Sequence, residues 1–171
     1  METVIVSLIC IALIVFGGMT LSQGFLTTVD STSAGLEELS DRDEAIMRTE
    51  LATDDAAMQS TSLLQVTLEN NGQTKLASFA KWDVIVQYYD DGGSYHVTWL
   101  PYTEGALGSN EWKKTGIYLD GQAEVFEPDI VNPGEEIVIE ANLTPTVGAN
   151  TTNLVVVSTP NGIPASEIFS R

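Results

Sequence analysis

The sequence predicts an α+β protein in which a long, apolar N-terminal α-helix precedes an antiparallel, immunoglobulin-like β-sandwich. Three observations support this fold class. Residues 3–29 are apolar and carry no charge, residues 30–58 are acidic with helical spacing of apolar side chains, and short strand-like runs follow from residue 60. We therefore predict a helical part at 1–59 and a sandwich domain at 60–171.

The composition excludes several classes of function. The chain has 171 residues, with 24 acidic and 7 basic side chains and a formal net charge of −17. A nucleic-acid partner is excluded because phosphate binding needs a basic face. The single cysteine and single histidine cannot form an internal disulfide or a multi-histidine metal site. We therefore expect a structural or binding protein rather than an enzyme, with no cofactor.

The apolar run at 3–29 is long enough to cross a membrane. As a helix it spans roughly 40 Å at about 1.5 Å per residue, and a hydrocarbon core is about 30 Å thick. Neither flank has the basic residues of an ordinary membrane anchor, and the first basic residue is Arg42. We expect that a short basic leader has been removed and that the apolar helix is retained.

Small residues interrupt this run and suggest close packing between helices. Glycine is unfavourable inside a helix by about 1 kcal/mol relative to alanine, yet it lets apolar helices approach closely. The alternatives are a plain anchor with tolerated glycines and a helix that packs against copies of itself. In the second case, the candidate assembly residues are Val4, Leu8, Ile11, Val15, Gly17, Gly18, Gly24 and Phe25.

The acidic segment at 30–58 is predicted to be an amphipathic helix. Its apolar residues recur at spacings that fit one helical stripe, formed by Leu36, Leu39, Ile46, Met47 and Leu51. The run at 27–33 has poor helix propensity and allows a bend or break, after which Ser33 would cap the second half. The acidic face is interpreted either as a solvated surface or as the exterior of an assembly.

Strand patterns dominate from residue 60 onward. The first strand-like run, at 63–69, is followed by an Asn-Asn-Gly turn signal at 70–72. The runs at 82–89 and 94–101 predict a hairpin across Asp90–Gly93, and Pro133 is expected to set a later bend. Further strand-like runs lie at 114–121, at 123–128 (Ala-Glu-Val-Phe-Glu-Pro), at 135–143 and at 153–162.

Few residues suggest chemistry. Asp90 and Asp91 could offer oxygens to Ca²⁺, but a plain turn is the better interpretation and we expect no metal. His96 is interpreted as an ordinary strand residue. Asn142 and Asn150 begin two Asn-x-Thr sequons, which become N-glycosylated if the domain faces a compartment with the transferase; the alternative is two ordinary surface asparagines.

The arrangement resembles archaellins, the type IV pilin-like subunits of the archaeal swimming filament. The resemblance rests on the retained apolar helix and on the segments at 70–88, 132–141 and 151–162. It implies a leader cut by a prepilin-type peptidase, a membrane-inserted precursor, contacts with motor and platform proteins, and a helical homopolymer at the cell surface. Type IV pilins typically have glutamate at the fifth mature position, so Ile5 favours an archaellin over a pilin.

Two other assemblies share this layout. One is a membrane-anchored accessory protein of the archaellum stator, which binds the surface layer, and the other is an adhesion pilin. An anchor in lipid would favour aromatic residues beside the apolar run, whereas Trp82, Trp99 and Trp112 all lie in the predicted sandwich. Burying on the order of 1,500 Å² among neighbouring helices would contribute several tens of kcal/mol before ordering costs, at about 25 cal/mol per Å². The sequence therefore favours the motility filament.

Overall fold

A computed structural model describes residues 2–171. The chain divides into two units, Met1–Glu44 and Ala45–Arg171, and each is described by itself. In chain order the elements are α1 (Glu2–Met47), β1 (Leu51–Met58), β2 (Leu63–Asn70), a 3-10 turn (Phe79–Lys81), β3 (Asp83–Tyr89), β4 (Tyr95–Leu100), β5 (Glu111–Leu119), β6 (Gln122–Ala123), β7 (Glu136–Asn142), β8 (Thr152–Ser158) and β9 (Pro164–Ser170).

The first unit is part of one uninterrupted helix. α1 continues through 27–33, so the predicted break is absent and Ser33 lies inside the helix. The hydroxyls of Thr27, Thr28 and Thr32 donate to backbone carbonyls one turn earlier, at 2.8–2.9 Å. These local bonds satisfy the polar side chains within the helix itself, which is how threonines are accommodated there.

The prediction that helix extends to residue 58 is wrong. α1 ends at Met47, and residues 51–58 form β1, which pairs antiparallel with β2. Thr49 closes the helix by donating through its hydroxyl to the Ala45 carbonyl at 2.7 Å. Strand pairing and the burial of Leu51 override the helical spacing of the apolar residues. The predicted boundary at 59 is therefore too late, and Leu51 leaves the predicted helical stripe.

The second unit is the predicted sandwich of two antiparallel sheets. One sheet has the strand order β1-β2-β7-β5-β6, and the other has the order β4-β3-β8-β9. Strands β2, β3, β7 and β8 alternate buried and less buried residues along their length, as expected for strands with one face on a core. Its largest fully buried side chains include Trp82, Trp112, Tyr88, Leu64 and Leu68.

The predicted hairpin across Asp90–Gly93 is confirmed by the pairing of β3 with β4. Gly93 has a φ of 77° and donates its N–H to the Asp90 carbonyl at 2.9 Å. The run Ala-Glu-Val-Phe-Glu-Pro contributes only the end of the two-residue β6 and then becomes a loop. β9 is an additional strand whose proline, serines and glutamate obscure its pattern.

Candidate assembly surfaces

The apolar part of α1 makes no tertiary contact that buries it. Its large side chains between Val4 and Val29 are all exposed within the chain. By length and composition the helix can cross a membrane, and none of its most apolar stretch is buried. A helix that is apolar all round needs a nonaqueous environment on every side, so this surface requires lipid or other protein.

The predicted assembly residues occupy two sides of the helix rather than one. At about 100° per residue, Gly17 and Gly24 fall on one side. Another side carries the remaining predicted residues, which are Val4, Leu8, Ile11, Val15, Gly18 and Phe25. A Cβ atom added at Gly17, Gly18 or Gly24 would meet nothing within 4 Å. Nothing inside the chain therefore requires glycine at these positions.

Two hydroxyl groups in the apolar stretch are bonded within the helix. Ser7 donates to the Thr3 carbonyl at 2.5 Å, and Thr20 donates to the Gly17 carbonyl at 2.9 Å. Cys10 is a free, exposed thiol on the same surface. Because these hydroxyls need no outside partner, they add little cost when the helix leaves water.

The two acidic residues of the β3–β4 turn are used by the fold. Asp90 accepts a hydrogen bond from the Ser94 backbone at 2.8 Å, and its other oxygen lies 2.8 Å from His96 Nε2. Asp91 accepts hydrogen bonds from the Thr146 hydroxyl at 2.6 Å and from Arg171 at 3.0 Å. The side-chain hydrogen bonds with His96 and Thr146 are the main causes that lower the pKa of Asp90 and Asp91, respectively.

These contacts leave the turn poorly suited to calcium. Each of the four carboxylate oxygens already has a protein partner, whereas Ca²⁺ needs six to eight oxygen ligands. Within residues 2–171, no group of three or more His, Cys, Asp or Glu side chains is arranged to hold a metal ion.

The two sequons differ in their surroundings. Asn142 is the last residue of β7, and its side-chain amide donates to the Gly108 carbonyl at 2.9 Å. Asn150 is exposed in the turn before β8, with a φ of 58°. An oligosaccharide is attached through the side-chain nitrogen, so the geometry favours modification at Asn150 over Asn142.

The sequence analysis missed an apolar surface on the outside of the four-stranded sheet. Tyr95, Val97 and Trp99 point outward from β4 and are 53–61% exposed. Two of them are preorganised, since Tyr95 donates to Gln87 Oε1 at 2.7 Å and Trp99 Nε1 donates to Asp83 Oδ1 at 2.9 Å. We call these three residues the outer β4 face. The sequence signal for this surface is the alternation of these residues with His96 and Thr98. Alternation separates the two faces of the strand but does not tell which face is exposed.

Comparisons with known proteins identify the fold. No protein-family model and no curated protein sequence matches the chain. The periplasmic stator protein complex FlaF and FlaG of the Sulfolobus acidocaldarius archaellum is 22% identical, with a TM-score of 0.53 over 71% of this chain and 89% of that chain. The archaeal flagellum of Methanospirillum hungatei is 11% identical, with a TM-score of 0.55 over 94% of this chain and 90% of that chain.

A crystal structure of the flagellin FlaB1 from Methanocaldococcus jannaschii is also similar. It is 13% identical, with a TM-score of 0.50 over 70% of this chain and 88% of that chain. The likeness to the Methanospirillum filament extends over nearly the whole chain and therefore includes α1. The chain thus has the fold of archaellum proteins, a long N-terminal helix followed by an antiparallel β-sandwich.

Proposed function

We propose that the chain is a structural subunit of an archaellum-type cell-surface machine and that it polymerises through α1 into a helical motility filament. The observation that carries this proposal is the exposed, uncharged helix surface at 3–29. In a filament, each helix buries this surface against neighbouring copies. A contact that does not close on itself then generates an open helical polymer.

The charge of the chain supports a polymer with a solvated exterior. With a net charge of −17, the outer parts of neighbouring filaments repel each other at moderate salt. Before assembly, the same helix would hold the subunit in the membrane. The partners in this proposal are copies of the chain, the membrane and the platform proteins of the machine, without a cofactor.

The filament proposal is tested by shearing cells that express the chain. We expect the sheared filaments to contain it as the major band, with an N-terminal peptide that includes the apolar run, and electron microscopy to show helical filaments. If the chain stays entirely with the membrane after shearing, the filament proposal fails. Wild-type cells and cells lacking the chain, treated identically, are the controls.

A second candidate is a membrane-anchored accessory protein of stator type. The outer β4 face favours it, because an exposed and preorganised apolar surface on the sandwich indicates protein docking that does not involve the helix. This candidate predicts that the chain remains in the membrane after shearing and that its sandwich domain captures surface-layer protein. Absence of such binding would count against it.

A further inference from the structure

We infer that β4 is a docking edge at which two copies of this chain join their four-stranded sheets. β4 is the terminal strand of its sheet and pairs only with β3. Among the described residues, the backbone of Tyr95–Leu100 has no hydrogen-bonding partner strand on its other side. An unpaired strand edge presents a row of donors and acceptors that another strand can complete.

The other three sheet edges are protected, and β4 is not. β1 carries a bulge and the exposed pair Asp54 and Asp55, and β6 has only two residues. β9 begins with Pro164 and runs close to β1. These features are the usual means of preventing strand addition. By contrast, β4 pairs with β3 without a bulge and has no proline, aspartate, glutamate, lysine or arginine.

The sequence of β4 is self-complementary in an antiparallel arrangement. If two β4 strands pair about a two-fold axis near Val97, Tyr95 of one copy lies opposite Trp99 of the other. His96 then lies opposite Thr98. Aromatic cross-strand pairs are favourable, and no like charges face each other. In a chain with a net charge of −17, an uncharged edge is also where a second copy meets the least repulsion, so charge and register both favour a second copy as the occupant.

The exposed side chains add a modest area to this contact. Tyr95, Val97 and Trp99 are 53–61% exposed and point outward from the sheet, so edge pairing buries only the sides that face the partner strand, on the order of 500 Å² for the two copies together. An area of this size is typical of a weak or transient contact. Pairing two strands of this length adds roughly six backbone hydrogen bonds.

This contact is separate from polymerisation through α1. A two-fold contact closes on itself and forms pairs, whereas the helix contact is open. Neighbours within a polar filament point the same way along its axis and are not related by such a two-fold. The pair therefore joins two chains that are still held in a membrane, and the inference goes beyond the proposed function without depending on it.

The test uses the full chain in detergent, with Cys10→Ser to remove the native thiol. Val97→Cys is compared with Ile168→Cys, because the two parent side chains are 61% and 63% exposed and both point outward from the same sheet. With a short bis-maleimide, we expect Val97→Cys to form covalent dimers at least tenfold faster. Equal rates, or no dimer from Val97→Cys, would overturn the inference.

A second pair of variants tests the edge rather than the thiol. Adding Trp99→Lys to the Val97→Cys chain should reduce the rate of dimer formation to that of Ile168→Cys, because it replaces both Tyr95–Trp99 pairs across the edge with a lysine opposite Tyr95. Adding Ile168→Lys should leave the rate unchanged, since β9 is at the other end of the sheet. If Trp99→Lys and Ile168→Lys both reduced the rate of dimer formation, the two sheets would be stacking face to face. If the Val97→Cys chain cross-linked only to another protein in host cells, the partner would be a different protein. Either result contradicts β4 pairing.

The test also separates this inference from the proposed function. Val97→Lys should abolish β4 pairing and leave sheared filaments unchanged in amount, since it does not alter α1. Circular dichroism melting curves of every variant check that the sandwich is folded. Loss of filaments with Val97→Lys would contradict the independence of the two contacts, whereas wild-type cells without filaments would defeat only the filament proposal.

Discussion

The ring of His96 stacks on the ring of Tyr88, with centroids 5.2 Å apart and planes inclined by 26°. Tyr88 is fully buried and donates its hydroxyl to the Pro145 carbonyl at 3.1 Å. Asp90 holds the other side of the imidazole through His96 Nε2. These contacts fasten the inner side of β4 to the core, so that its outer face is presented on a fixed strand.

The carboxylates of the β3–β4 turn predict a loss of stability in acid. The folded-state pKa values of Asp90 and Asp91 are lowered, chiefly by hydrogen bonds with His96 and Thr146. Their stabilisation is therefore complete above the unfolded pKa of about 4 and is lost as the pH falls through the lower folded values. Urea unfolding between pH 7 and pH 3 should show a smaller acid loss for the Asp90→Asn/Asp91→Asn double variant. Equal losses would contradict this assignment.

The two buried tryptophans differ in a way that unfolding experiments can detect. Trp82 Nε1 donates to the Ala77 carbonyl at 3.0 Å, whereas Trp112 Nε1 finds no acceptor among the described protein atoms. Replacement by phenylalanine removes ring volume at both sites, but only at Trp82 does it leave a carbonyl, that of Ala77, without its hydrogen-bond donor. We expect Trp82→Phe to lower the free energy of unfolding by about 1–2 kcal/mol more than Trp112→Phe. Equal effects in urea titrations would refute this expectation.

Gly72 is required by close backbone packing. A Cβ there would lie 2.5 Å from the Glu50 nitrogen and 2.7 Å from the Arg48 oxygen. Gly72→Ala should therefore lower the free energy of unfolding by roughly 1–3 kcal/mol, as measured by urea titration. Gly105→Ala is the matched control, because its Cβ would meet only the Thr103 hydroxyl at 3.8 Å. If Gly72→Ala were as stable as the control, the backbone at 48–50 would be able to move aside without lowering the free energy of unfolding, and the expectation would be wrong.

The glycines of α1 allow intermolecular packing to be measured directly. A Cβ added at Gly24 or Gly35 would meet only open space within the chain, so leucine at either site should favour the helix by somewhat under about 1 kcal/mol. If copies pack closely on the apolar run, Gly24→Leu should reduce sheared filament several-fold, and Gly35→Leu, in the acidic part, should reduce it less. Filament yield is measured by gel densitometry. Undiminished yield from Gly24→Leu would argue against close packing there.

Glycosylation, if the host performs it, should occur at Asn150 rather than Asn142. Peptide mapping by mass spectrometry should find the glycan on the peptide that contains Asn150, and Asn150→Gln should remove it. Asn142→Gln should instead reduce stability by about 1 kcal/mol through loss of the bond to Gly108. A glycan confined to Asn142 would contradict the structural distinction.

Local sequence signals predicted much of the fold. The uncharged run and the strand runs with their turn residues were sufficient for the helix, the sandwich and the hairpin at Asp90–Gly93. The end of α1 was not predictable, because residues 51–58 keep helical spacing and become a strand only through pairing with β2. Helix and strand propensities predict secondary structure poorly where tertiary contacts of this kind determine it.

Of the two candidate surfaces, the apolar run of α1 was predicted from the sequence and the outer β4 face was not. The apolar run at 3–29 stands out because its length and lack of charge are visible in sequence. The outer β4 face does not, since alternation along Tyr95–Leu100 shows that two faces differ without telling which one meets the core. Deciding between them required the register of β4 with β3.

The internally bonded hydroxyls of α1 have a consequence for where the chain resides. Four hydroxyls of the apolar run, those of Ser7, Thr20, Thr27 and Thr28, bond the backbone of the helix itself. They therefore need no polar partner, either in hydrocarbon or among neighbouring helices. Partition between these two surroundings then depends on shape, through how closely neighbouring surfaces interlock. We therefore expect that adding or removing a few methyl groups, without any change in polarity, shifts this partition.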